Sequence, residues 1–202
     1  MNPVDQRPGP HRPYYHIAKD GLRVLLDIFG FSRDASVRQR DVVLVGIDFE
    51  NTLLFKEELP EDAETQVGLA ILDTRDLSSI EPSKMISTSN LVTGSADYFE
   101  RATQKFLFGN SILISTSDMA HQISSLIPHG RDVILVGHDI RHETHILSGL
   151  GFHRKIECCL DTFRITGHVL PYFMLKLGEL LTELDCPYSR LHNGGNDANF
   201  TL

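Results

Sequence analysis

Asp41-Val-Val-Leu-Val-Gly-Ile-Asp48-Phe49-Glu50 is the stretch from which the fold of this chain is read. From Val42 to Ile47 it is almost unbroken aliphatic and mostly β-branched. Such a run suits a central strand covered on both faces. It ends in two acids where turn chemistry is usual. Residues two apart on an extended chain point to one face, so the Asp48 and Glu50 carboxylates converge. Acids so close repel, and a cation between them relieves that repulsion. Hard oxygen ligands favour Mg²⁺ or Mn²⁺. A solvated strand end with capping chemistry would leave the same letters, so the pair decides nothing alone.

Outward from this strand, Glu64–Asp73 and, more weakly, Lys84–Leu91 read as further strands. Asp97–Phe108 and Asp118–Ile127 have helical patterning. Asp132-Val-Ile-Leu-Val-Gly137 is a second buried strand, and His142–Leu150 a helix stopped by Gly151. Ile156–Leu160 is a short strand, with Asp161-Thr162 as the N-cap of the next helix. Leu175–Leu184 carries a leucine stripe. Upstream, Ile17–Phe29 fits an amphipathic helix ended by Gly30, 32–40 is a polar linker, and 1–16 is a proline-rich flexible tail. Strands followed by alternating strand and helix predict a mixed α/β sheet in one domain, residues 41–202.

Composition narrows the function classes. The net charge of −8 argues against a broad non-specific nucleic-acid coat, yet leaves room for a small site where metal neutralises phosphates. No stretch approaches the roughly 18 apolar residues of a membrane helix, and the first residues lack the apolar core of a secretory signal. Cys158, Cys159 and Cys186 read as thiols in a reducing compartment, which places the protein inside the cell.

Two further segments gather acids. Gly137-His138-Asp139-Ile-Arg-His142-Glu143-Thr-His145 follows a buried strand and runs into a helix, which would put Asp139 and Glu143 on one face. Its histidines invite a zinc reading, although the spacing is not that of a zinc-protease helix. Leu191-His192-Asn-Gly-Gly-Asn196-Asp197 is a turn leading into a helix. A histidine five residues before an acid has the place of a mobile base beside a ligand carboxylate.

In order and strand context, the three segments resemble the motifs of the DEDDh (DnaQ-like) 3′–5′ exonuclease superfamily, which has an RNase H-like fold. Motif one matches as Asp48-x-Glu50, motif two as Gly137-His138 with Leu147, and motif three as His192-x-x-x-x-Asp197. Gln66-Val67-Gly68 resembles the family's second strand, and Asp161-Thr162 its Asp-Thr. Gly137–Glu143 and His192–Ala198 look most like a fungal branch with the silencing-associated QIP-like exonucleases and the "good for full" DEAD-box activity proteins.

The resemblance implies hydrolysis of phosphodiester bonds from the 3′ end of single-stranded RNA or DNA with two Mg²⁺ or Mn²⁺ ions. Asp48, Glu50, Glu143 and Asp197 would be the ligands and His192 the base. Asn51, Thr52 and His138 would meet the terminal nucleotide, with Leu53, Leu54 or Phe55 able to stack on a base. An RNA-processing or silencing protein is the implied partner. The chain departs from the pattern at Glu143, where the family has Asp. That leaves a second expectation, a weakened domain kept as an RNA- or protein-binding module.

Overall fold

The computed structural model describes residues 15–32, 41–52, 60–78, 81, 84–170 and 175–202. Of the expected tail 1–16 and linker 32–40, residues 1–14 and 33–40 lie outside the described residues, as do the stacking candidates Leu53, Leu54 and Phe55. Tyr15 and His16 are not free tail, since the Tyr15 hydroxyl donates to the Phe152 carbonyl at 2.8 Å and the His16 carbonyl accepts the Cys159 amide at 2.8 Å.

The opening stretch forms strand β1, Val42–Glu50. Gln66–Asp73 forms β2, Ile86–Val92 β3, Ile112–Leu113 β4, Asp132–Gly137 β5 and Cys158–Asp161 β6. They make one six-stranded sheet in the order β4-β3-β2-β1-β5-β6. The pairs β1–β2 and β2–β3 are antiparallel, while β1–β5, β5–β6 and β3–β4 are parallel. Around it lie helices α1 (Gly21–Ile28), α2 (Ala96–Lys105), α3 (Met119–Leu126), α4 (Arg141–Gly149), α5 (Thr162–Val169), α6 (Leu177–Glu183) and α7 (Gly194–Thr201). This is the mixed α/β, RNase H-like architecture that the sequence predicts.

Alternate residues of β1 serve two cores, as the pleat requires. Val43, Val45, Ile47 and Phe49 pack with Met119 and Ile123 of α3 and Ile146 and Leu147 of α4. Val42 and Leu44 face the other side, with Ile28, Leu160, Ile165 and Leu202. Asp48 and Glu50 share the second parity and so lie on the side of α7.

Glycine sets how closely α7 approaches. A Cβ on Gly68 would stand 1.8 Å from the Gly194 carbonyl oxygen, and one on Gly46 2.6 Å from that of Ala198. A buried polar network fixes the same helix start. Asn193, the N-cap, donates to Gln66 Oε1 at 2.8 Å, and Asn90 Oδ1 accepts from the Gly195 amide at 3.1 Å.

Four local readings are corrected. Helix α1 starts at Gly21, not Ile17, because His16 and Ala18 hydrogen-bond to Cys159 and extend the β6 edge; Asp20 then caps the helix. Strand β4 was not foreseen: both its residues are exposed, and only pairing with Leu91 and Val92 makes it a strand. Helix α7 begins at Gly194, before Asn196-Asp197. Asp139 is not on a helix with Glu143; it sits ahead of α4 in the left-handed region, φ 62°.

Candidate active site

The site lies where β1 ends, between α7 on one side of the sheet and the first turn of α4 on the other. Ligand atoms of Glu50, His192 and Asp197 all lie within 4.8 Å of one another. Asp197 is buried in the first turn of α7, and its Oδ2 accepts the His192 backbone N–H at 3.0 Å. The His192 backbone is left-handed, φ 62°, which swings its side chain out at the rim. The ring is 88% exposed, with Nδ1 3.8 Å from Glu50 Oε1.

Asp48 and Glu143 stand outside that tight group but act on it. The Asp48 carboxyl is pushed well above its ordinary range by burial, then by Asp197, Glu50 and Glu143 around it. Glu143 is pushed up to about 8, by burial first; its own backbone N–H opposes this, and Asp139, Asp161 and Glu50 add to it. Asp197 rises to about 7 through burial, opposed by the His192 N–H and reinforced by Glu50. Glu50 also rises through burial, while His192, Asp197 and Lys105 hold it down. Four acids that each prefer a proton form a site in need of positive charge.

One oxygen each of Asp48 (Oδ2), Glu143 (Oε2) and Asp197 (Oδ1) is buried with no hydrogen-bond partner. Orphaned buried acceptors are rare and call for an explanation. A hard divalent cation supplies one, because its ligands are carboxylate oxygens. The residues present therefore fit the metal that this constellation implies.

The remaining predicted residues sit as follows. Asn51 is left-handed (φ 63°) and its Nδ2 donates to the Glu64 carbonyl at 2.6 Å. Thr52 is buried, with Oγ1 2.7 Å from His142 Nε2, which ties the exit of β1 to α4. His138 has both ring nitrogens engaged, Nδ1 with Thr162 Oγ1 and Nε2 with the Leu175 carbonyl, each at 2.9 Å. Among the described residues, His138, His142 and His145 do not gather into a ligand group, which removes the zinc reading. Sequence reasoning missed Lys105, the last residue of α2, whose charge reaches Glu50. No motif marks it, because its approach depends on where α2 packs.

A sheet of this order, with carboxylates at the end of its central strand, defines an RNase H-like domain. The model of the DEDDh family described as DNA polymerase III subunit epsilon-like, C-terminal domain, matches residues 43–202, and the chain belongs to that family. Its exonucleases generally use divalent metals. No curated protein matches the chain significantly. Among the described residues, no helix is long and apolar enough to cross a membrane.

Proposed function

We propose that this chain is a 3′–5′ exonuclease that hydrolyses phosphodiester bonds of single-stranded RNA or DNA with two divalent ions, Mg²⁺ or Mn²⁺. The observation that carries this reading is the buried orphan oxygen on each of Asp48, Glu143 and Asp197, facing a cluster that already holds Glu50.

Asp48, Glu50, Glu143 and Asp197 would hold the ions. Bound there, divalent ions polarise the phosphate and make water a nucleophile at neutral pH. The chain's own groups do the rest. His192 takes the proton of the attacking water at whichever ring nitrogen faces it; its ring stands exposed at the rim beside Glu50. Asn51 and Thr52 lie directly after the acid pair, where the terminal nucleotide would lie. Lys105 adds positive charge on the Glu50 side, suited to the strand's phosphates. The motif strings Gly137–Glu143 and His192–Ala198 support a place in the fungal branch, with an RNA-processing or silencing protein as partner.

The test is a 5′-labelled oligonucleotide, RNA and DNA in parallel, with Mn²⁺ or Mg²⁺. The full chain should shorten it as a ladder, and Asp48→Asn should reduce the rate on the order of 10²–10³-fold, as loss of a charge-stabilising group does. If the wild type is as inert as Asp48→Asn with both metals, the proposal fails and the binding-module reading takes its place.

A further inference from the structure

Helix α4 carries Glu143 in its first turn, yet its own N-terminus has no side-chain cap. The N-cap side chain makes no bond to the first-turn amides, among which the Glu143 N–H meets its own carboxyl. The stretch that leads into the helix has a special backbone: Asp139 is left-handed, φ 62°, and Gly137 has no room for a Cβ, which would stand 2.8 Å from Ile140 Cγ1.

Asp161 reaches this turn from the end of β6. It is 3% exposed, and its Oδ1 accepts two amides, Asp139 N–H at 3.0 Å and Phe163 N–H at 3.2 Å. The Phe163 bond caps its own helix, α5. Capping α5 needs nothing from Asp139, so the second bond has a separate consequence: it pins the left-handed residue that aims α4. Thr162 adds a tie beside it. The Leu175 carbonyl can only accept, so His138 Nε2 carries a proton; Nδ1 lies 2.9 Å from the Thr162 hydroxyl, which also donates to the Gly137 carbonyl at 3.2 Å. The whole 137–139 turn is thus fastened to the start of α5.

We propose that Asp161 is the positioning residue for Glu143, holding the Asp139 turn so that the Glu143 carboxylate reaches the metal site. The proposal rests on the exonuclease reading for its purpose. Its test reads metal affinity, which needs no turnover.

Mn²⁺ binding to the full chain is followed by electron paramagnetic resonance, with thermal melting alongside. Asp161→Ser is the decisive variant. Serine still caps α5 well, but it is too short to reach Asp139 as well. It should melt close to wild type and bind Mn²⁺ about tenfold more weakly, the lower end of what losing a ligand-orienting partner costs. Asp161→Asn keeps a carbonyl oxygen for both amides and should stay within about threefold of wild type, inside the scatter of a retained contact. Unchanged Mn²⁺ affinity in a folded Asp161→Ser overturns the proposal, and so does Asp161→Asn as weak as Asp161→Ser. A wild type that binds no Mn²⁺ overturns it as well. A wild type that binds Mn²⁺ but cuts no nucleic acid sinks the exonuclease reading and leaves the positioning role standing.

Discussion

The two sides of the site are built by different physics. On one, α7 is pressed onto β1 and β2 with glycine at the contact, and Asn193, Gln66 and Asn90 lock its first turn from beneath. That side delivers Asp197 and His192 beside Glu50. On the other, Glu143 arrives on a helix with no cap of its own, aimed through a left-handed turn held by Asp161. Close packing tolerates almost no displacement, whereas on the α4 side position is set by hydrogen bonds to the 137–139 turn. It is on the hydrogen-bonded side that the family's Asp has become Glu.

The sharpest way to break the packed side is Gly68→Ala. Its methyl would overlap the Gly194 carbonyl at 1.8 Å, with backbone on both sides of the contact and no flexible group to yield. The expected cost is about 3 kcal/mol or more, the upper end of overpacking, and the displaced α7 takes Asp197 and His192 with it. A calorimetric Tm and the cleavage rate should fall together. A variant that melts and cuts like wild type would mean that α7 is held less closely than this geometry requires.

On the hydrogen-bonded side, Glu143→Asp shortens the ligand by one methylene. Because the turn places α4 for a Glu, the shorter carboxylate should sit farther from Asp48, and cleavage should fall by up to about tenfold, with more metal needed for half-maximal rate. A large gain in rate would reverse this, marking Glu143 as a change that weakened the site.

The same contrast explains what could be read in advance. Strand β1, its two acids and the glycines of Gly194-Gly195 are local signals: an apolar run, a period of two, a turn before a helix. They carry the fold and the α7 side. The predicted place of Asp139 on a helix failed because its backbone is left-handed and its amide is bonded to Asp161, 22 residues away, rather than within a helix. Asp161 was legible as a cap, but its second bond was not, since no spacing rule joins β6 to the start of α4. Likewise Ile17 looks helical by pattern and becomes a bridge only because Cys159 is across from it.

The smallest effect separates the acids from their metal. Glu143 at about 8 and Asp197 at about 7 hold protons more tightly in the folded chain than their ordinary values of 4.5 and 3.8 allow. A raised folded pKa gives stability that is complete below the unfolded value and is lost as pH rises through the folded one. Metal-free protein should therefore lose stability from these groups as pH rises to about 8, where the loss levels off. His138 and His142, lowered chiefly by burial, give the opposite slope, but only below the ordinary imidazole value of 6.5. Between about pH 7 and 8 the carboxyls dominate, before the Cys158 and Cys159 thiols, also raised by burial, add a slope of the same sign, and the loss should be about 1 kcal/mol, a few degrees in Tm. Mn²⁺ takes the place of those protons, so its stabilisation should grow over the same window. Glu143→Gln, which has no proton to lose, should flatten the metal-free slope above pH 7.5. A metal-free Tm that is flat or rising there would show that the four acids accept their charge without a cation.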